Sequence, residues 1–130
     1  MTVQADRNLV REWIALEYAD PKSSEYEEKF AAFGRIWEMT RERPEEAWAF
    51  ILAVLETDSS DHILGNLSAG PLEDLLVYHG TTVIDRVEAT ARTNRAFAFL
   101  LGGVWRNRIS QDVWDRVCAV RDRLGWDGWK

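Results

Sequence analysis

Cysteine occurs once in this chain, histidine twice and proline three times. The lone Cys118 excludes an internal disulfide and a thiolate metal cluster, and it fits a reducing cytoplasm. Any imidazole chemistry must use His62 or His79, and no His-x-x-x-His or His-Glu-x-x-His spacing exists. Asp58-Ser59-Ser60-Asp61 lacks the Gly and the closing Glu of a calcium loop. Gly102-Gly103 has neither the preceding strand nor the Lys of a phosphate loop, which leaves a kink or a tight helix contact as its reading. There is no Gly-x-Ser-x-Gly elbow, no signal-like apolar stretch and no run of about 18 apolar residues. Metal, cofactor, secretion and membrane spanning are therefore not expected.

What is present is ordinary for a globular protein: 130 residues, 46% hydrophobic and 29% charged, enough for one core and read as one domain over 1–130. Seven tryptophans are many for this length. Most are expected between helices, with one or two exposed as anchors for a partner. The net charge of −6 is uneven: residues 1 to 65 carry 14 acidic and 7 basic side chains, residues 66 to 130 carry 8 and 9. The first part is an acidic body suited to a basic partner protein, and the same acidity argues against nucleic acid. Cations of the second part, Arg86 to Arg123, are all arginine, which permits bidentate salt bridges.

The hydrophobic spacing is helical throughout and predicts an all-α fold of about seven or eight antiparallel helices, either a compact bundle or a short HEAT-like stack. The first helix spans about 7 to 19 with Leu9, Trp13 and Leu16 inward. The second opens on Ser24 as cap with Glu27 three residues on, and Tyr26, Phe30, Phe33 and Trp37 are expected to face the core. Pro44 starts a third with Trp48, Ile51, Leu52 and Leu55 buried. A short helix from about 61 to 69 hands over to the block Gly70-Pro71-Leu72-Glu73-Asp74-Leu75-Leu76-Val77-Tyr78-His79-Gly80, read as a helix started at Pro71 and stopped by a left-handed Gly80. Thr82 with Asp85 would cap the next, Asn94 the seventh with Phe97, Leu100, Leu101, Val104 and Trp105, and Ser110 the eighth with Val113, Val117, Val120 and Leu124. Starts near Pro44, Pro71 and Asn94 raise the prospect of a degenerate hairpin repeat.

Candidate binding residues are Glu73, Asp74, His79, Trp105 and Arg106, with no catalytic residue assigned. Glu73 and Asp74 point about 100° apart on a helix, so dipole complementation explains them better than a shared acid/base role. His79 reads as a partly buried residue bonding a last-turn carbonyl, His62 as exposed, and Cys118 as core packing.

The block from Gly70 to Gly80, continued by Ile84-Asp85-Arg86-Val87-Glu88, Asn94, Phe97 and Val104-Trp105, resembles an uncharacterised bacterial family of small helical domains of unknown function. The resemblance covers about 65 to 117 and implies a bacterial, intracellular helical domain without an assigned activity. The acidic part before residue 65 is expected to be this protein's own addition, with 66–124 as the family-like part. A non-enzymatic protein-binding domain follows as the expected function, with an immunity- or antitoxin-like inhibitor of a basic partner as its most concrete form. The alternatives are a small hydrolase using Glu73, Asp74 and His79, or a self-assembling helical-repeat module.

Overall fold

The computed structural model describes residues 3–126, and these contain helices and loops without a strand. Eight α-helical segments follow in order: α1 Arg7–Tyr18, α2 Ser24–Lys29, α3 Ala31–Glu42, α4 Pro44–Thr57, α5 Asp61–Leu67, α6 Glu73–Thr93, α7 Arg95–Gly102 and α8 Gln111–Val120. Six have eight residues or more and pack together as a compact bundle. The longest, α6, lies at its centre against α3, α4, α7 and α8. Buried side chains from both the acidic and the arginine-rich parts join in one hydrophobic cluster, from Leu9 and Trp13 through Phe50 and Leu75 to Phe97 and Val117.

Local sequence accounts for most boundaries. Asp6, Ser23, Ser60 and Asn94 each accept the backbone N–H three residues on, satisfying an amide that the first turn leaves without a partner. The second cap thus falls on Ser23, one residue before the expected Ser24. Pro44 opens α4 in the position where its missing donor costs nothing.

The block from Gly70 to Gly80 is where the expected boundaries fail. Instead of ending before Pro71, the helical run continues from α5 through a π-helical turn, Ser68–Leu72, directly into α6. A proline inside an α-helix removes a donor and crowds the carbonyl four residues back; a widened turn relieves both. Nor does Gly80 stop the helix, since no described glycine has a positive φ. The chain kinks at His79 (φ −136°, ψ 26°) and α6 continues to Thr93, so Thr82 and Asp85 lie within it rather than at a cap. With Pro71 inside a continuous run, the hairpin repeat has no second start.

Gly80 has a packing reason instead. A Cβ there would stand 2.9 and 3.0 Å from the two methyl carbons of Val113 on α8. Replacing Gly80 by Ala should cost ~1–2 kcal/mol in urea unfolding despite the better helix propensity of Ala, because valine has little rotamer freedom with which to retreat. In a Val113→Ala background the same change should cost nothing. Stabilisation by Gly80→Ala in the parent chain would show that the contact is slack.

Other expectations on facing are corrected by the fold. The chain breaks helical register at Phe30, between α2 and α3, so Phe30 and Trp37 are each 55% exposed, Tyr26 and Phe33 are half-buried, and α3 instead buries Ala32, Ile36 and Met39. Leu124, beyond the end of α8, is 85% exposed. Cys118 lies on the exposed side of α8, not in the core. Of the tryptophans, Trp13, Trp48 and Trp126 are buried, Trp114 is half-buried, Trp37 and Trp105 are exposed, and Trp129 lies outside the described residues. The arginines build inter-helix forks: Arg86 grips Glu45 of α4 with both terminal nitrogens, and Arg116 of α8 bridges Glu88 and Asp85 of α6.

Candidate functional site

The turn forced by Pro71 also shapes a groove. Between α1, α3 and the π-helical turn lies a cavity of about 380 Å³, with Trp13, Phe33, Ile36 and Trp37 as walls and Ala69, Gly70 and Pro71 along one side. Its polar side chains are Glu17, Asn66 and Asp74. A single π turn advances the chain by an extra residue, which places Asp74 at the groove while the following leucines, Leu75 and Leu76, remain fully in the core.

Both carboxylates are perturbed. Burial pushes the Glu17 carboxyl above the ordinary glutamate value, opposed by the charge of His62. Burial likewise raises Asp74, opposed by Arg41 and Arg108. An acid whose pKa is higher in the folded state costs stability where it is ionised, and the cost fades as pH falls through the raised value. Carboxyls raised by burial in this way cluster at functional sites.

Next to the groove, the motif docks onto the end of α3. The guanidinium of Arg41 stacks between Trp37 (3.7 Å to the ring centre) and Tyr78 (4.2 Å). Arg108 lies 5.6 Å from the Tyr78 ring centre and donates to the tyrosine hydroxyl at 3.2 Å. Arg41 Nε is buried without a hydrogen bond, the one such side-chain nitrogen or oxygen among the described residues. His79 Nε2 lies 2.6 Å from the carbonyl oxygen of Arg41, so the expected last-turn carbonyl belongs to α3 and not to the helix of His79 itself.

The sequence candidates therefore divide. Asp74 lines the groove. Glu73 is tied to the loop after α7: the Asn107 amide donates to its carboxylate at 2.9 Å. Asn107 makes this reach with φ of 41°, a left-handed conformation that asparagine tolerates. Burial raises the Glu73 carboxyl, with Asn107 opposing. Trp105 projects 61% exposed beside it, and Arg106 turns back to the Ile109 carbonyl. His79 is occupied at Arg41. Glu73 and Asp74 share the field of Arg108, and Asp74 and His79 both neighbour Arg41, but the hydrogen bonds of Glu73 and His79 go to different partners, Asn107 and the Arg41 carbonyl.

Glu17, Trp37, Arg41 and Tyr78 were not among the sequence candidates. The spacing of Trp37 and Arg41, four apart on one helix, was the one local signal available. Glu17 and Tyr78 are brought in by tertiary contacts alone. His62 is exposed as expected, its ring 5.1 Å from that of Tyr18 and its Nε2 2.6 Å from the Glu17 carbonyl oxygen.

Among the described residues no group of three or more His, Cys, Asp or Glu side chains is arranged to hold a metal ion, and no helix is long and apolar enough to cross a membrane. No curated protein and no solved structure matches the chain. The family match reaches upstream of residue 65 as far as residue 19, so α2, α3 and α4 fall within it along with the Gly70 to Gly80 block, while α1 precedes it. Residues 19–125, from the end of α1 to the final turn, match a family of unknown function (DUF6869), and the chain belongs to that family.

Proposed function

We propose that this protein is a non-enzymatic binding domain for a basic protein partner, acting in a bacterial cytoplasm as an immunity- or antitoxin-like inhibitor. The observation that carries this reading is the continuity between the groove and exposed aromatic surface: Trp37, a groove wall, and Phe30, in ring contact with Phe33 at 5.6 Å, are each 55% exposed. Exposed large aromatics beside a concavity are the anchors that protein interfaces use. Their setting is the acidic part of the chain, which favours rapid encounter with a basic partner and disfavours acidic ones. The single thiol, Cys118, supports a reducing compartment.

The hydrolase alternative needs Glu73, Asp74 and His79 to face one substrate, and the separate engagements of Glu73 with Asn107 and His79 with Arg41 give it no support. Affinity capture from native lysate tests the binding reading. The parent chain should retain a stoichiometric basic protein that is released as salt rises from about 50 to about 500 mM, where screening shortens to a few ångströms. A Trp37→Ala/Asp74→Asn bait should lose it. Identical proteins on both baits, or repeated capture of nothing by a monodisperse chain, would overturn the reading. A dimer or larger species of the chain alone in light scattering would favour self-assembly instead.

A further inference from the structure

Resting on the reading of a basic partner, we infer that the groove between α1, α3 and the π-helical turn is a pocket for one arginine side chain of that partner, seated between Glu17 and Asp74. The argument is one of chemical inventory. Neither carboxylate accepts a hydrogen bond from a described residue. Asn66 spends its amide nitrogen on the His62 carbonyl at 3.1 Å, which leaves its oxygen as a third acceptor. Two half-buried carboxylates, on which Arg41, Arg108 and His62 act without hydrogen-bonding them, together with an amide oxygen suit a ligand rich in donors and positive in charge.

The walls select among cations. Phe33 and Trp37 offer aromatic surface, on which a planar guanidinium stacks at lower desolvation cost than an ammonium. The same fork presents parallel N–H groups to carboxylates, which a point charge cannot do. Arg41 already rests against Trp37 at 3.7 Å, so the chain itself displays the preferred guanidinium geometry at the edge of this site. A cavity of about 380 Å³ is within the range that encloses a ligand and is ample for one long side chain with its adjoining backbone. Exposed Phe30 and Trp37 would then contact the residues flanking the inserted arginine.

The test is a nitrogen-15 NMR titration with blocked Gly-Arg-Gly peptide and its citrulline counterpart, which keeps the shape and removes the charge. With the arginine probe the indole N–H signals of Trp13 and Trp37 and the side-chain amide of Asn66 should shift together and saturate. The citrulline probe should bind at least tenfold more weakly. Glu17→Gln/Asp74→Asn, isosteric changes that relieve disfavoured buried charge, should abolish the shifts with the fold intact. Trp37→Ala, at an exposed position, should weaken binding severalfold. Equal binding of the two peptides, or shifts confined to acidic helix faces away from the groove, would overturn the pocket. If salt-sensitive, Asp74-dependent capture persists while the peptide fails, the binding reading stands and this inference falls. If the peptide binds but no partner is captured, the pocket stands and the binding reading falls.

Discussion

Gly102→Ala is expected to destabilise this protein severely, at the upper end of the ~1–3 kcal/mol typical of overpacking or beyond it. Gly102 closes α7, and a Cβ there would overlap the backbone carbonyl of Asp122, with the Trp126 ring also at 2.9 Å. Side-chain rotation cannot relieve an overlap with backbone. The segment after α8 must lift away, and with it go three hydrogen bonds: Asp122 N–H to the Ala98 carbonyl at 2.9 Å, Arg123 to the Gly102 carbonyl at 2.7 Å, and the Trp126 indole to the Phe99 carbonyl at 2.5 Å. Stacking of Trp126 on Phe99, 4.8 Å between ring centres, would be lost as well. Helix propensity alone points the other way, favouring Ala by about 1 kcal/mol, so the sign of the change separates the two effects. Thermal unfolding with near-ultraviolet circular dichroism reads both the lower midpoint and the loss of an ordered tryptophan. An unchanged or raised midpoint would show that the final turn does not seat against α7.

Phe97→Ala should cost ~3–5 kcal/mol, a large share of the ~5–15 kcal/mol that holds a domain of this size together. Phe97 has no exposed surface and meets Trp48 of α4 edge to face, with ring centres 5.4 Å apart. The substitution removes the ring and leaves a void where α4 and α7 pack on α6, and rigid neighbours can fill it only in part. Phe97→Leu, which retains most of the volume, should cost less than half as much. Urea unfolding should show a lower midpoint with an unchanged slope for both variants. Equal losses for Ala and Leu would point to the ring contact, rather than the cavity, as the main contribution. A loss below ~1 kcal/mol for Phe97→Ala would mean that the core collapses freely around the site.

The two glycines that matter most here both serve close contacts, one against the sequence expectation and one in line with part of it. Gly80 looks like a stop and is a contact with Val113; Gly102, read as a kink or a tight contact, is a contact, the seat of the final turn. In both cases the absence of a Cβ is used for close approach between segments distant in the chain, and no described glycine uses a positive φ. That information is not local. A reading that assigns glycine to caps uses the commonest local role and cannot see the partner segment.

The same limit explains the groove. Asp74 was visible in sequence as part of a block dense in chemistry, and its neighbour Glu73 was equally visible. What separates them is one residue of helical phase: the π-helical turn directs Asp74 toward α1 and α3 and leaves Glu73 to Asn107 and the loop after α7. Glu17 had no sequence signal, because its significance comes from α1 lying across that turn, fifty-odd residues away in the chain. The aromatic row Tyr26, Phe30, Phe33 and Trp37 fit a buried helical stripe, yet the break at Phe30 shifts the phase of α3 and turns part of the row outward. A regular stripe presumes unbroken helix, and a helix as short as α2 carries too little periodicity to reveal where it ends.

The sequence by itself determined that this protein is all-helical, that α1, α4 and α7 begin at or near their observed residues, and that leucines of the Gly70 block are core. Those properties follow from caps, from 3.6-residue spacing and from the chemistry of single residues, all of which act within a few positions. Only the tertiary structure decided that α5 and α6 form one bent run, that Gly80 is a contact glycine and which segment Gly102 meets, and that Glu17 and Asp74 share an aromatic groove. The physical reason is that bends, close approaches and shared burial depend on which segments pack together, and hydrophobic packing is non-directional until the whole core has formed.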